Sequence, residues 1–276
     1  MKMRIVADSS ANLLEMKDVE FASVPVHIIV GEQDYADTAE IDLAAFQQHL
    51  REYKGKTTTA APSPGEWEEA FGERGDVIAF TITSGLSGSY NAACAAKEIC
   101  RQRDPSRRIH VVDSLSAGPE IVLLIEKALS ETRAGADFDG VCRAVQEYRE
   151  RTRLLFALES MHNLAQNGRV NRLVATMAGV LGIRAVGQAS AEGTLEMLGK
   201  ARGARRTRQL MLSEMERLGY RGGSARIGHC QNETLALEIR DEIRQRFPAA
   251  DAQIHPLRGL CSYYAERGGI MLGFET

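Results

Sequence analysis

The chain has 276 residues, 44% of them hydrophobic and 26% charged, and its 34 basic against 37 acidic side chains leave a formal net charge of −3. This composition supports a globular core and excludes a disordered or disulfide-stapled chain, and the near-balanced charge supplies no field to recruit nucleic acid or an anionic membrane. No apolar run approaches the roughly 20 residues that span a bilayer. Met1-Lys2-Met3-Arg4-Ile5 leads straight into a strand, so the expected location is cytoplasmic with no membrane insertion. Five cysteines without a C-x-x-C pair read as reduced, buried thiols.

In chain order, the first apolar run, Arg4-Ile5-Val6-Ala7, ends in Asp8-Ser9-Ser10. A helix is predicted over 42–53, followed by the hydroxyl-rich extended segment Thr57-Thr58-Thr59-Ala60-Ala61, which suits an edge strand. Ser63-Pro64-Gly65-Glu66 forms a capping box with proline at the first helical position. The helix after it places Trp67, Ala70 and Phe71 on one face. A second run, 77–82, ends in Thr83-Ser84, and a third, Ile109-His110-Val111-Val112, ends in Asp113-Ser114. Helices are predicted over 91–99, 116–133 and 137–151. Strands alternating with helices argue for an α/β protein with a parallel sheet, whose ligands sit outside the carboxyl ends of the strands. The Asp and Ser residues at these three ends then either converge on one crevice or merely cap their helices.

A boundary near residue 153 divides the chain into an α/β unit 1–153 and a smaller α/β unit 154–276. The second unit starts with the strand Leu154-Leu155-Phe156-Ala157-Leu158. A short helix capped by Ser160 and closed by Gly168 follows, and another helix spans 171–182. Strands 183–190 and 194–198 flank the turn Ala191-Glu192-Gly193. A basic helix from Arg202, a strand 225–230, a helix 233–247 and a strand 270–274 complete the order.

The stretch most suggestive of chemistry is Thr81-Ile82-Thr83-Ser84-Gly85-Leu86-Ser87-Gly88-Ser89-Tyr90, which reads as strand, tight turn and helix start. Gly85 and Gly88 let the backbone bend and approach a ligand. Ser84, Ser87 and Ser89 supply hydroxyls, and the helix start adds free N–H groups and partial positive charge. The turn suits something small and anionic, or else it is a well-capped helix. Gly85-Leu86-Ser87-Gly88-Ser89 departs from a G-x-S-x-G nucleophile elbow at its last position. A serine-dependent hydrolase or transferase using Ser87 would also need a histidine, for which His229 at a strand end is the candidate. Neither G-x-x-x-x-G-K-[ST] nor G-x-G-x-x-G occurs, and the six histidines lack ligand spacing, so no nucleotide, metal or other cofactor is expected. Lys200-Ala201-Arg202-Gly203-Ala204-Arg205-Arg206-Thr207-Arg208 gathers five cations where a helix dipole is already positive. It is either a solvated face or a surface for an anionic partner.

Taken together, Ile5-Val6-Ala7-Asp8-Ser9-Ser10, Thr59-Ala60-Ala61-Pro62-Ser63-Pro64-Gly65-Glu66, Ser84-Gly85-Leu86-Ser87-Gly88-Ser89-Tyr90 and Val112-Asp113-Ser114 resemble the DegV family in order and spacing. So do Asn167-Gly168-Arg169-Val170, Gly182-Ile183 and Lys200-Ala201-Arg202-Gly203. The resemblance implies a two-domain α/β protein that binds one long-chain fatty acid between its domains. It further implies a carrier rather than an enzyme, one that presents the carboxylate to a fatty acid kinase. By similarity, Thr59 and Ser87 donate hydrogen bonds to the carboxylate, Gly85 and Gly88 give the backbone its close approach, and Arg169 and Arg202 face the kinase rather than the ligand. Two departures stand out. The family follows its threonine with Ser-Gln where this chain has Ala60-Ala61, and a family histidine near the C terminus is missing. Counting back from Gly273-Phe274 puts Tyr264 in the histidine's place.

Overall fold

Apolar runs that stop at Asp or Ser become parallel neighbours in the computed structural model, which describes residues 3–16, 19–171 and 182–276. The strands of the first half are β1 (Met3–Asp8), β2 (Phe21–Val24), β3 (His27–Val30), β4 (Gln33–Ala36), β5 (Thr57–Ala60), β6 (Asp76–Thr81) and β7 (Ile109–Asp113). They form a parallel sheet of order β2-β1-β6-β7 and a separate antiparallel sheet of order β4-β3-β5. Their helices are α1 (Leu43–Glu52), α2 (Pro64–Phe71), α3 (Ser89–Arg103), α4 (Pro119–Arg133) and α5 (Phe138–Arg149).

Strand alternation sorts the parallel sheet onto two helical layers. Ile5, Ala7, Ile78 and Phe80 pack with α4 and α5, while Val6, Val77 and Ala79 meet Trp67, Phe71, Ala93 and Ala96 of α2 and α3. Strands covered on both faces read as continuous apolar runs, which is why they were plain in the sequence. The Asp42 carboxylate caps α1 by accepting from the N–H groups of Ala44 and Ala45, and Ser63 and Glu66 form the reciprocal capping box read from the sequence.

The second half comprises β8 (Thr152–Leu158), α6 (His162–Gln166), β9 (Ile183–Ala189), β10 (Leu195–Arg202), α7 (Gly203–Arg217), β11 (Ser224–His229), α8 (Glu233–Arg246), β12 (Asp251–Pro256), α9 (Gly259–Ala265) and β13 (Ile270–Glu275). All its strands join one six-stranded mixed sheet of order β10-β9-β8-β13-β11-β12. No strand before Thr152 belongs to that sheet among the described residues. Five elements were absent from the sequence reading: β2 at the edge of the parallel sheet, β3 and β4 beside β5, the edge strand β12, and α9. Their segments are short, and β4 and β12 are largely polar, so neither period stands out. The helix expected over 171–182 falls almost wholly outside the described residues. The basic segment also differs from expectation, because Lys200 and Arg202 end a strand and the helix begins at Gly203.

Helix α4 joins the halves, packing on α5 and on β8, β11 and β13. Its start presses on Gly273, where a Cβ would stand 2.5 Å from the Glu120 nitrogen. Glu120 is buried there, accepting from the hydroxyls of Ser116 and Thr152. Burial pushes its carboxyl up to about 7, against these two bonds and the nearby Arg153 and Arg149, all of which pull it down. A folded-state value above the ordinary 4.5 favours folding fully below that pH, and the benefit is lost as pH rises through about 7. Urea unfolding at pH 6 and 8 should show the native protein losing stability relative to Glu120→Gln, by at most about 1.4 kcal/mol per pH unit.

Candidate functional site

The turn after β6 is held from below by two aspartates. Asp8, fully buried at the end of β1, accepts from the Ile82 N–H at 2.9 Å, the Ser89 hydroxyl at 2.6 Å and the Ser10 N–H at 3.2 Å. Burial raises its pKa, and these bonds oppose the rise. Asp113, ending β7, accepts from the N–H groups of Ser84 and Leu115, both at 3.1 Å. The three strand ends therefore meet at this turn, but Asp8, Ser9, Ser10, Asp113 and Ser114 are not among the described residues lining the pocket. Ser89, however, spends its hydroxyl on Asp8, which leaves Ser87 as the serine of the turn that faces the pocket. Its Oγ accepts from the Ser89 N–H at 3.3 Å. Helix α3 starts at Gly88 with no side-chain cap, so the free N–H groups of its first turn lie at the same place.

The two glycines differ in what they border: Gly88 lines the pocket, and Gly85 is not among its described lining residues. A Cβ on Gly85 would stand 3.1 Å from the carbonyl oxygens of Glu192 and Gly193, so this glycine admits the β9–β10 turn rather than a ligand. A Cβ on Gly88 would meet only Ala61, at 3.9 Å, because Gly88 faces open space.

That space is a pocket of about 820 Å³, its open mouth included. Phe156, Leu158, Leu164, Leu195, Leu260 and Met271 give it apolar walls. Thr59, Ser87, Tyr264 and Arg169 supply the polar groups. Thr59, on edge strand β5, shares a 2.7 Å hydrogen bond with the Tyr264 hydroxyl. Two residues earlier on the same strand face, Thr57 shares one of 2.7 Å with Tyr263, whose oxygen also accepts from Asn167 Nδ2 at 2.9 Å. The adjacent tyrosines of α9 thus diverge: Tyr263 is a buried strut, and Tyr264 turns into the pocket as the count from Gly273 required. Burial raises the Tyr264 pKa further above its ordinary 10, against Thr59 and Arg169, so it remains a neutral donor.

Arg169 departs from the expectation that it faces away from the ligand. Its guanidinium donates to the Leu86 carbonyl at 3.1 Å, lies 6.0 Å over the Tyr264 ring and lines the pocket. It is the single charged side chain among the described residues lining the pocket. Arg202, Lys200, Arg205 and Arg206 are exposed outside the pocket, while Arg208 pairs with Glu238 and Glu242. Among the described residues, no histidine or carboxylate lines the pocket, and His229 is not one of its lining residues.

The pocket thus joins a partly buried arginine and neutral donors to apolar walls, an arrangement that suits an anionic amphiphile. The chain belongs to the DegV family, whose model, described as "Uncharacterised protein, DegV family", matches residues 2–275. It is 39% identical to a DegV domain-containing protein of Streptococcus pneumoniae, over 100% of this chain and 99% of that one. It is similar in structure to a DegV family protein from Eubacterium eligens loaded with heptadecanoic acid (TM-score 0.97, 40% identity, 99% of each chain). It also resembles the Streptococcus pneumoniae Fatty Acid Kinase (Fak) B3 protein loaded with linoleic acid (TM-score 0.97, 39% identity, 100% of this chain and 99% of that one).

Removing the buried Tyr263 hydroxyl takes one hydrogen bond each from Thr57 and Asn167, which keep Gln166 and the Asn163 carbonyl as partners. Tyr263→Phe should therefore lower stability by about 1–3 kcal/mol in urea unfolding, and Tyr264→Phe, which is half-buried, by less.

Proposed function

We propose that this protein is a non-enzymatic carrier of one long-chain fatty acid, held between the units 1–153 and 154–276, and that it presents the carboxylate to a fatty acid kinase. The observation that carries this reading is the joining of one polar end, Thr59, Ser87, Tyr264 and Arg169, to an apolar cavity in one pocket. The fatty acids named for the Eubacterium eligens and Streptococcus pneumoniae structures support the ligand class, and the second structure's name supports the kinase. The protein needs no cofactor, and its place of action is the cytoplasm. Among the described residues, no helix is long and apolar enough to cross a membrane.

The energetics divide cleanly. Burying about fourteen methylenes gains on the order of 11 kcal/mol before ordering costs, so the tail dominates affinity. Thr59, Ser87 and the uncapped start of α3 orient the head, and Arg169 supplies the opposite charge. Tyr264 stands where a titratable histidine would add charge below neutral pH, and it contributes a hydrogen bond without that dependence. Arg202, exposed with its basic neighbours, belongs to the kinase-facing surface, where opposite charges speed encounter and make it salt-sensitive.

Native mass spectrometry of protein purified from cells should show one co-purified acyl chain; an empty protein that instead turns over an activated ester would support the Ser87 enzyme. Thr59→Ala and Ser87→Ala should each weaken fatty acid binding by about 1–3 kcal/mol in a fluorescent displacement titration. Arg169→Ala should weaken it too, whereas Arg202→Ala should bind lipid normally and slow phosphorylation by the kinase at low salt.

A further inference from the structure

We propose that Leu154 is the end wall of the acyl pocket and sets the length of hydrocarbon the protein accepts; this rests on the fatty acid reading above. Side chains of a strand alternate between faces, so Leu154, Phe156 and Leu158 of β8 point the same way, and all three line the pocket. At roughly 3.3 Å per residue they mark out a wall about 13 Å long. Its Leu158 end belongs to the polar head region. Leu158 clusters with Leu164 and with the partly buried Tyr264, and the Leu164 carbonyl accepts from the Arg169 N–H at 2.8 Å. Leu154 lies at the other end and outside that cluster.

Beyond Leu154 is a second cavity of a different character. Ser114, Glu120, Arg149, Arg153, Gln188 and Ser190 are among its lining residues. Leu154 is the one residue common to both linings, and it is only 2% exposed. The backbone beside it cannot give way, because its partner on β13 is Gly273, against which the start of α4 is already pressed. Among the described residues, Leu154 therefore stands between an apolar cavity and one that carries charged side chains. A longer hydrocarbon would have to displace that side chain and then push methylenes among Glu120, Arg149 and Arg153, stripping water from charged groups without replacing it.

The test is displacement of a fluorescent fatty acid by saturated fatty acids of 12 to 22 carbons, with the native protein, Leu154→Ala, Leu154→Phe and the volume-conserving Leu154→Met. Leu154→Ala should move the optimum to longer chains, with about a fourfold gain in affinity for each methylene newly accommodated. Leu154→Phe should move it to shorter chains, and Leu154→Met should leave it in place. Should Leu154→Ala fail to fold, the shift in Leu154→Phe decides. Retained binding with an unmoved optimum in the Ala and Phe variants overturns this proposal alone. Failure of the native protein to bind any chain in the series overturns the fatty acid reading and this proposal together.

Discussion

The candidate site depends on one buried carboxyl group. Asp8 sits at the end of the first strand with no solvent around it, and its oxygens collect the N–H groups of Ile82 and Ser10 and the hydroxyl of Ser89. These bonds tie the end of β1 to the turn that follows β6, and so fix where α3 begins. Without them a polar turn between an apolar strand and a helix would have many conformations. With them, its backbone presents Ser87 and the free helix end to one point in space. The burial that makes Asp8 costly to ionise also makes its hydrogen bonds strong, since no water competes for them.

A second layer of order comes from tyrosines paired with threonines. Strand β5 lies at the edge of a three-stranded sheet, where the Thr57 N–H donates to the Gln166 side-chain oxygen at 3.0 Å. The hydroxyls of Thr57 and Thr59 meet Tyr263 and Tyr264 of α9, which comes from the far end of the chain. Asp37, just past β4, adds to the junction by accepting the Leu260 N–H at 2.9 Å near the start of α9. Burial first of all raises the Asp37 carboxyl to about 6, partly offset by the Leu260 N–H, the Ser9 hydroxyl and Arg258. The pocket is thus assembled from segments more than 200 residues apart, and its walls need both halves folded.

Legibility in the sequence followed the physics of each segment. The three parallel strands, the helix from residue 42 and the capping box at Ser63 rest on local rules, and the structure has them as read. The strand-end turn was also legible, because Gly and Ser between an apolar run and a helix leave few alternatives. The sheet of β3, β4 and β5 was not, since four-residue strands such as Gln33–Ala36 carry too little pattern and gain their stability from partners remote in sequence. Within the site, Thr59, Ser87 and Tyr264 were placed by resemblance and are found together. The inward position of Arg169 was missed, because nothing local tells which way a side chain leaves the Gly168 turn; its direction is set by the Leu86 carbonyl, 83 residues earlier. The same limit hid the role of Gly85, which is defined by the distant Glu192 and Gly193.

That last contact has a mechanical meaning. The turn between β9 and β10 rests on the Thr83–Gly85 backbone so closely that a Cβ on Gly193 would fall 2.0 Å from the Thr83 hydroxyl oxygen. The Gly193 main chain meets the short Thr83 side chain there, and the carbonyl oxygens of Glu192 and Gly193 face the Gly85 main chain, so little slack remains between the two turns. The two sheets are consequently pinned at this point, and any breathing motion that widens the gap between them must pivot about it. Leverage then favours opening at the side of the pocket farthest from the pin.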